Sequence, residues 1–206
     1  MSLYFLYGLK KPSFQTPTAF YLPLPSYSSF FSIFAKNKSS MKRRSTYGAS
    51  NFEKVIRQNS YYIDKTRYIE HLENVRYPVF LRPRRFGKTL FTETLRWYYD
   101  IKAKDRFEEL FGNLYIGKNP TENHNSYFFL KLDFSGMSTW VSGDKMFIKR
   151  QFDNKIHIEL LAFLGYYADY LHIPDETLTR FDDRYRNNAA GGLQYLISLV
   201  YAVQGK

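Results

Sequence analysis

Cysteine is absent from the 206 residues, which excludes a disulfide framework and any thiolate metal ligand. Histidine is scarce. His71, His124, His157 and His172 show none of the close spacings of zinc sites, so each reads as a surface or packing residue. Long apolar runs are missing as well: the longest apolar patch of the first forty residues, 30–35, is far too short to span a bilayer. Acidic residues are wanting in residues 1–46. A complete nuclease constellation of carboxylates and lysine is not present, and the adjacent acids Glu108 with Glu109 and Asp182 with Asp183 read as solvated faces.

What is present argues for a folded core. Hydrophobic residues make up 44% and aromatics 19% of the chain, which is core-forming rather than disordered composition, and the length suffices for one full domain. The formal net charge of +11 is unevenly spread. Seven Lys or Arg side chains fall in residues 1–46, so the remaining 160 residues carry an excess of only four positive charges. The globular part is mildly basic.

The first forty residues differ from the rest, since Pro12, Pro17, Pro23 and Pro25 punctuate a serine- and aromatic-rich stretch that is not expected to sustain a helix or a ladder. The prolines also break the order of a secretory signal. A transit peptide remains the lesser alternative, because acids are absent. Residues 1–45 are therefore expected to be a disordered or mis-annotated extension, with Met41 as the real start, and residues 46–206 to be the folded part.

From residue 50 the pattern is globular. Ser50 and Glu53 give a capping-box signature ahead of a short helix through Val55 and Ile56, and Asp64 is placed to cap a second helix through Tyr68, Ile69 and Leu72. Residues 77–81, YPVFL, have the composition of a buried strand, and residues 90–100 carry Phe91, Leu95 and Tyr98 at helical spacing. Further helices are expected at 105–111, 145–171, 175–181 and 193–203, with a buried strand at 127–133 and loops at 117–125 and 135–144. No internal repeat appears.

Between the strand at 77–81 and its helix lie residues 82–89, RPRRFGKT, the position a phosphate-binding loop occupies. The start of a helix offers unpaired N–H groups and a favourable dipole to an anion. Gly87 would let the backbone approach phosphates, Lys88 would set an ammonium near the β- and γ-phosphates, and the Thr89 hydroxyl would coordinate Mg²⁺. The general pattern asks for glycine where this chain has Arg82. On spacing alone the stretch reads equally as a basic surface turn.

The wider string resolves that ambiguity by resemblance. Residues 61–73, YYIDKTRYIEHLE, followed by residues 80–95, FLRPRRFGKTLFTETL, resemble the AAA-ATPase-like family, common in bacterial genomes, whose Walker A is a degenerate RPRRFGK[ST] and whose members often carry a nuclease-like domain after the ATPase region. The resemblance covers roughly residues 50–206. It implies an α/β fold, a helix-rich P-loop NTPase core of ASCE/AAA-like type, with ATP and Mg²⁺ as cofactors and a cytoplasmic, non-membrane setting.

The resemblance also distributes roles. Arg84, Arg85, Phe86, Gly87, Lys88 and Thr89 are the implied nucleotide-binding residues, Thr89 through Mg²⁺. A guanidinium of Arg84 or Arg85 would suit a phosphate bidentately or pair with acidic neighbours in the fold, while Arg82 reads as structural. In the second signature, Asp64 reads as a cap. The functional alternative brings Tyr62, Asp64 or Lys65 to the nucleotide base.

Asp133 ends an apolar strand in the manner of a Walker B acid, but the family's register places that acid after a helix resembling residues 193–203. By this register Asp133 is a strand-terminal acid that caps or positions a loop, or reaches the metal through water. The chain is then expected to end before its own Walker B strand, with strands 77–81 and 127–133 not adjacent, edges left open and solubility poor. Nucleotide binding is expected of this chain and hydrolysis of a longer parent. A different class of reading is a basic module in which Arg82, Arg84, Arg85 and Lys88 hold nucleic-acid phosphates while aromatics stack on bases. A third is a non-functional gene fragment. Self-association, and nucleic acid met through the parent, are further options for partners.

Overall fold

The computed structural model describes residues 2–7, 19–20, 43–46, 48–81, 83, 85–135 and 145–204. Contacts divide the chain into two compact units: Gly8–Tyr127, and Met1–Tyr7 together with Phe128–Lys206. The strand elements are β1 (Ser2–Tyr7), β2 (Ala19–Phe20), β3 (Val79–Phe80) and β4 (Phe128–Asp133). The α-helices are α1 (Phe52–Arg57), α2 (Tyr68–Glu73), α3 (Lys88–Tyr99), α4 (Phe107–Phe111), α5 (Tyr115–Lys118), α6 (Lys145–Tyr166), α7 (Ala168–Leu171), α8 (Asp175–Tyr185) and α9 (Ala189–Gln204), and a 3₁₀ helix covers Ile101–Arg106. Helix dominates, with few strands.

In the unit Gly8–Tyr127, α3 is the central element. Its helical period places Phe91, Leu95, Tyr98 and Tyr99 on one buried stripe, as three- and four-residue spacing requires. That stripe meets Phe52 of α1, Ile69 and Leu72 of α2, Leu110 and Phe111 of α4 and Ile116 of α5. Burying each such side chain is worth roughly 1.5–3 kcal/mol. Aromatic edges fix the packing: Phe52 lies 5.1 Å from Phe111, and Tyr98 meets Phe111 edge-on at 5.6 Å. Gly117 seats α5 on the end of α4, since a Cβ there would fall 1.9 Å from the Phe111 carbonyl oxygen.

Three local expectations differ from what the unit shows. The cap of α1 is Asn51, whose side chain accepts from the Lys54 N–H at 2.8 Å. Ser50 and Asn51 are both good caps, and Glu53 is instead held by Arg57 and Arg106 in ion pairs of 3.1 and 2.7 Å. Residues 77–81 are not a buried strand: pairing is confined to Val79–Phe80, parallel to Ala19–Phe20, while Tyr77, Val79 and Leu81 are exposed. Strand side chains alternate faces, so when Phe80 turns edge-on to Phe91 of α3 at 5.5 Å, Val79 turns away. The segment around 117 begins as the helix α5 rather than as loop.

In the other unit β1 and β4 form a six-residue antiparallel ladder, from Ser2 opposite Asp133 to Tyr7 opposite Phe128. The expectation that the first forty residues hold no ladder fails here because Ser2–Tyr7 precedes the first proline, Pro12. The Phe129 N–H of β4 donates to the Tyr167 hydroxyl at 2.9 Å. Tyr167 also interrupts the expected single helix, leaving α6 and α7 on either side. Ile156, Leu160, Phe163 and Leu164 form the buried stripe of α6. An apolar cavity of about 170 Å³ lies among Phe128 and Leu130 of β4, Phe163 of α6, and Leu193, Leu196 and Val200 of α9.

Candidate nucleotide-binding site

Helix α3 starts where the loop ends. Gly87 is its N-cap at φ 75° and ψ 21°, a left-handed conformation that glycine adopts without penalty, and Arg85 is also left-handed at φ 67°. The first ladder bond runs from the Phe91 N–H to the Gly87 carbonyl at 2.9 Å. The N–H groups of Lys88, Thr89 and Leu90 precede any intrahelical acceptor. Its N-cap, being glycine, brings no capping side chain of its own, and no acid stands in the first turn of the helix. Arg85, Phe86, Gly87, Lys88 and Thr89 are all exposed. Arg82 and Arg84, two of the expected motif residues, lie outside the described residues.

The second signature is brought to this loop. Tyr62 is half-buried, its hydroxyl 3.2 Å from the Thr94 hydroxyl on α3 and its ring edge-on to Phe52 at 5.5 Å. Burial pushes its hydroxyl pKa well up, with the Thr94 hydrogen bond opposing, so Tyr62 stays a neutral anchor. Asp64 is committed to the fold. One carboxylate oxygen accepts from the Thr66 N–H at 2.8 Å and the Thr66 hydroxyl at 2.7 Å, and the other accepts from the Tyr115 N–H at 2.8 Å. Thr66, fully buried, in turn accepts from the Ile116 N–H at 3.2 Å.

Asp64 therefore caps α5, not α2 as its sequence position suggests. The N-cap of α2 is Arg67, without a side-chain bond. A tight turn intervenes, in which the Tyr68 and Ile69 N–H groups donate to the Lys65 and Thr66 carbonyls at 3.1 and 3.0 Å, and it displaces the helix start beyond the reach of Asp64. Lys65 lies between these two fixed residues. A methyl group placed on Gly87 would lie 3.9 Å from Lys65 Nζ. Of the second signature, Lys65 is the member the structure brings to the loop glycine.

Asp133 belongs to the other unit. It ends β4 and accepts from the Ser135 N–H at 2.9 Å, positioning the turn that follows. Sequence reasoning missed Thr66 and Thr94, although the signal for Thr66 was local, since an Asp two residues before a Thr is an Asx-turn pattern. No cluster of His, Asp or Glu suited to a metal occurs among the described residues, and no helix among them is long and apolar enough to cross a membrane.

These observations define a helix-rich α/β protein in which a loop joins a short strand to a helix that starts on a glycine and carries a lysine at its first position. A family model described as a predicted AAA-ATPase matches residues 46–206, and the chain belongs to this AAA-ATPase-like family, an ATPase-type domain for which a P-loop fold and nucleotide with Mg²⁺ are the general rule. The same comparisons give no matching curated protein and no matching solved structure.

The local chemistry fits a nucleotide's phosphates. Among the described residues outside its chain neighbours, the group nearest the loop glycine's missing Cβ is the Lys65 ammonium, the first turn carries no carboxylate to repel an anion, and Lys88 and Thr89 occupy the first two helical positions. Among the described residues of this loop, the Thr89 hydroxyl is the oxygen donor that could meet Mg²⁺.

Proposed function

We propose that this chain binds ATP with Mg²⁺ through residues 84–89, in a P-loop core of ASCE/AAA-like type. The single observation that carries this reading is the start of α3: an αL glycine as its N-cap, no acid in its first turn, and exposed Lys88 and Thr89. Gly87 admits the phosphates to the helix N–H groups, Lys88 neutralises them, and Thr89 offers its hydroxyl to the metal. Arg85 and Phe86 flank the site, with Arg84 a further phosphate partner. The metal-bound nucleotide would supply the activated phosphoryl group. This chain's own residues bind and orient it.

Titration with a ribose-labelled fluorescent ATP analogue tests the reading. Binding is expected to require Mg²⁺ and to be lost in Lys88→Ala. Binding that is indifferent to Lys88 would overturn it. Steeply salt-dependent binding of an oligonucleotide, unaffected by ATP, would favour the nucleic-acid module instead.

A further inference from the structure

We infer that Lys65 is a second phosphate-binding lysine of this site, delivered to the loop by the Asp64 and Thr66 hydrogen bonds on either side of it. The inference rests on the proposed nucleotide site and adds to it a residue that lies outside the loop. Lys65 Nζ lies 3.9 Å from the position of a Gly87 Cβ, at the point where the backbone is open for a phosphate to approach. A flexible lysine stem could point in many directions, at a cost in side-chain entropy when ordered. Here its base is fixed.

The anchoring is extensive. The Lys65 carbonyl accepts from the Tyr68 N–H, Asp64 reaches Thr66 and the Tyr115 N–H, Thr66 is held by the Ile116 N–H, and Tyr62 reaches Thr94 on α3 itself. The same helix that follows the phosphate loop thus also holds the strap that carries Lys65. Asp64 and Thr66 act as positioning residues, and Lys65 is the group that would touch the ligand. Together Lys65, Arg85 and Lys88 put cations of both signatures around one glycine, which gives the two signatures a shared physical purpose. The ligand part recognised is the phosphate chain, not the base.

The test uses the full chain with Mg²⁺ and the fluorescent ATP analogue, comparing wild type, Lys65→Met, Lys65→Arg and Lys88→Ala. Losing a charge-assisted contact in Lys65→Met is expected to weaken ATP binding roughly tenfold or more, with Lys65→Arg recovering part of it. Wild-type protein supplies a measurement independent of folding defects: ATP with Mg²⁺ should protect both Lys65 and Lys88 from an amine-acetylating reagent, read by mass spectrometry. Unchanged affinity in Lys65→Met, or protection of Lys88 without Lys65, would overturn the inference while leaving the nucleotide site intact. Failure of wild type to bind ATP would remove both.

Discussion

The start of α3 and the start of α9 are opposite solutions to one problem, that a helix leaves its first N–H groups without partners. At α9 side chains fill the vacancy: Asn188 accepts from the Gly191 N–H at 3.0 Å, and the buried Asp153, reaching over from α6, accepts from the Ala189 N–H at 3.4 Å. Asp153 is also paired with Lys149 at 2.5 Å. At α3 the cap is glycine and the first turn is cationic. One helix start is closed by the protein's own side chains, and the other begins on a glycine that has none to offer. The difference teaches where this fold uses side chains to finish a helix and where, on the proposed reading, an anion would do so.

Closing the open start should have the largest effect. Thr89→Glu places a carboxylate in the first turn of α3, where the dipole welcomes it at about 0.5 kcal/mol, while a like charge facing the phosphates should weaken ATP binding by roughly a hundredfold. Calorimetric melting alongside nucleotide titration would register both; loss of binding together with a large drop in melting temperature would break the comparison.

Opening the closed start comes next. Asp153→Ala strips the buried Ala189 N–H of its acceptor and removes the Lys149 partner, a change expected to cost about 2 kcal/mol with ATP affinity unaltered. Urea denaturation would measure it, and an unchanged midpoint would show that Asn188 closes α9 alone.

Gly87→Ala probes the glycine itself. At φ 75° a Cβ costs about 1 kcal/mol or slightly more, yet the nearest atom to it, Lys65 Nζ, is at an ordinary contact distance. The penalty should therefore be conformational, seen as a modestly lower melting temperature. A loss of several times that size would mean the loop is packed rather than open.

The smallest effect is a pH dependence in the unit that holds α9. The Asp182 carboxyl lies below the usual aspartate range because the His157 ring N–H donates to it at 2.8 Å, with Arg186 adding to the effect and burial opposing. A depressed folded pKa means that the stabilisation is full above the ordinary aspartate value, about 3.9, and is lost as pH falls through the folded value. The contribution of the Asp182 carboxylate, read as the difference in melting temperature between wild type and Asp182→Asn, should thus shrink on acidification below about pH 4. A gap that widens in acid would contradict this.

Much of the fold was legible because its signals are local. Phe91, Leu95 and Tyr98 at helical spacing gave α3, the apolar run before Asp133 gave β4, and the Gly-Lys-Thr tripeptide marked the start of α3. Misreadings arose where two residues had equal local claims, as Ser50 and Asn51 did for the cap of α1, or where a partner lies far along the chain. Nothing near residue 64 announces that its carboxylate serves Tyr115, and the prolines that follow Ser2–Tyr7 said nothing about a ladder with β4.

The sequence by itself determined the charge distribution, the helix-rich plan, the family and the glycine that opens α3, since each depends on composition or on neighbours within a turn or two. Only the tertiary structure decided that Asp64 and Thr66 hold the strap while Lys65 meets the loop, and that Asp153 closes α9. Both outcomes depend on which distant N–H groups a carboxylate can reach. That reach is fixed by how helices pack, and packing is not written in any one segment of the chain.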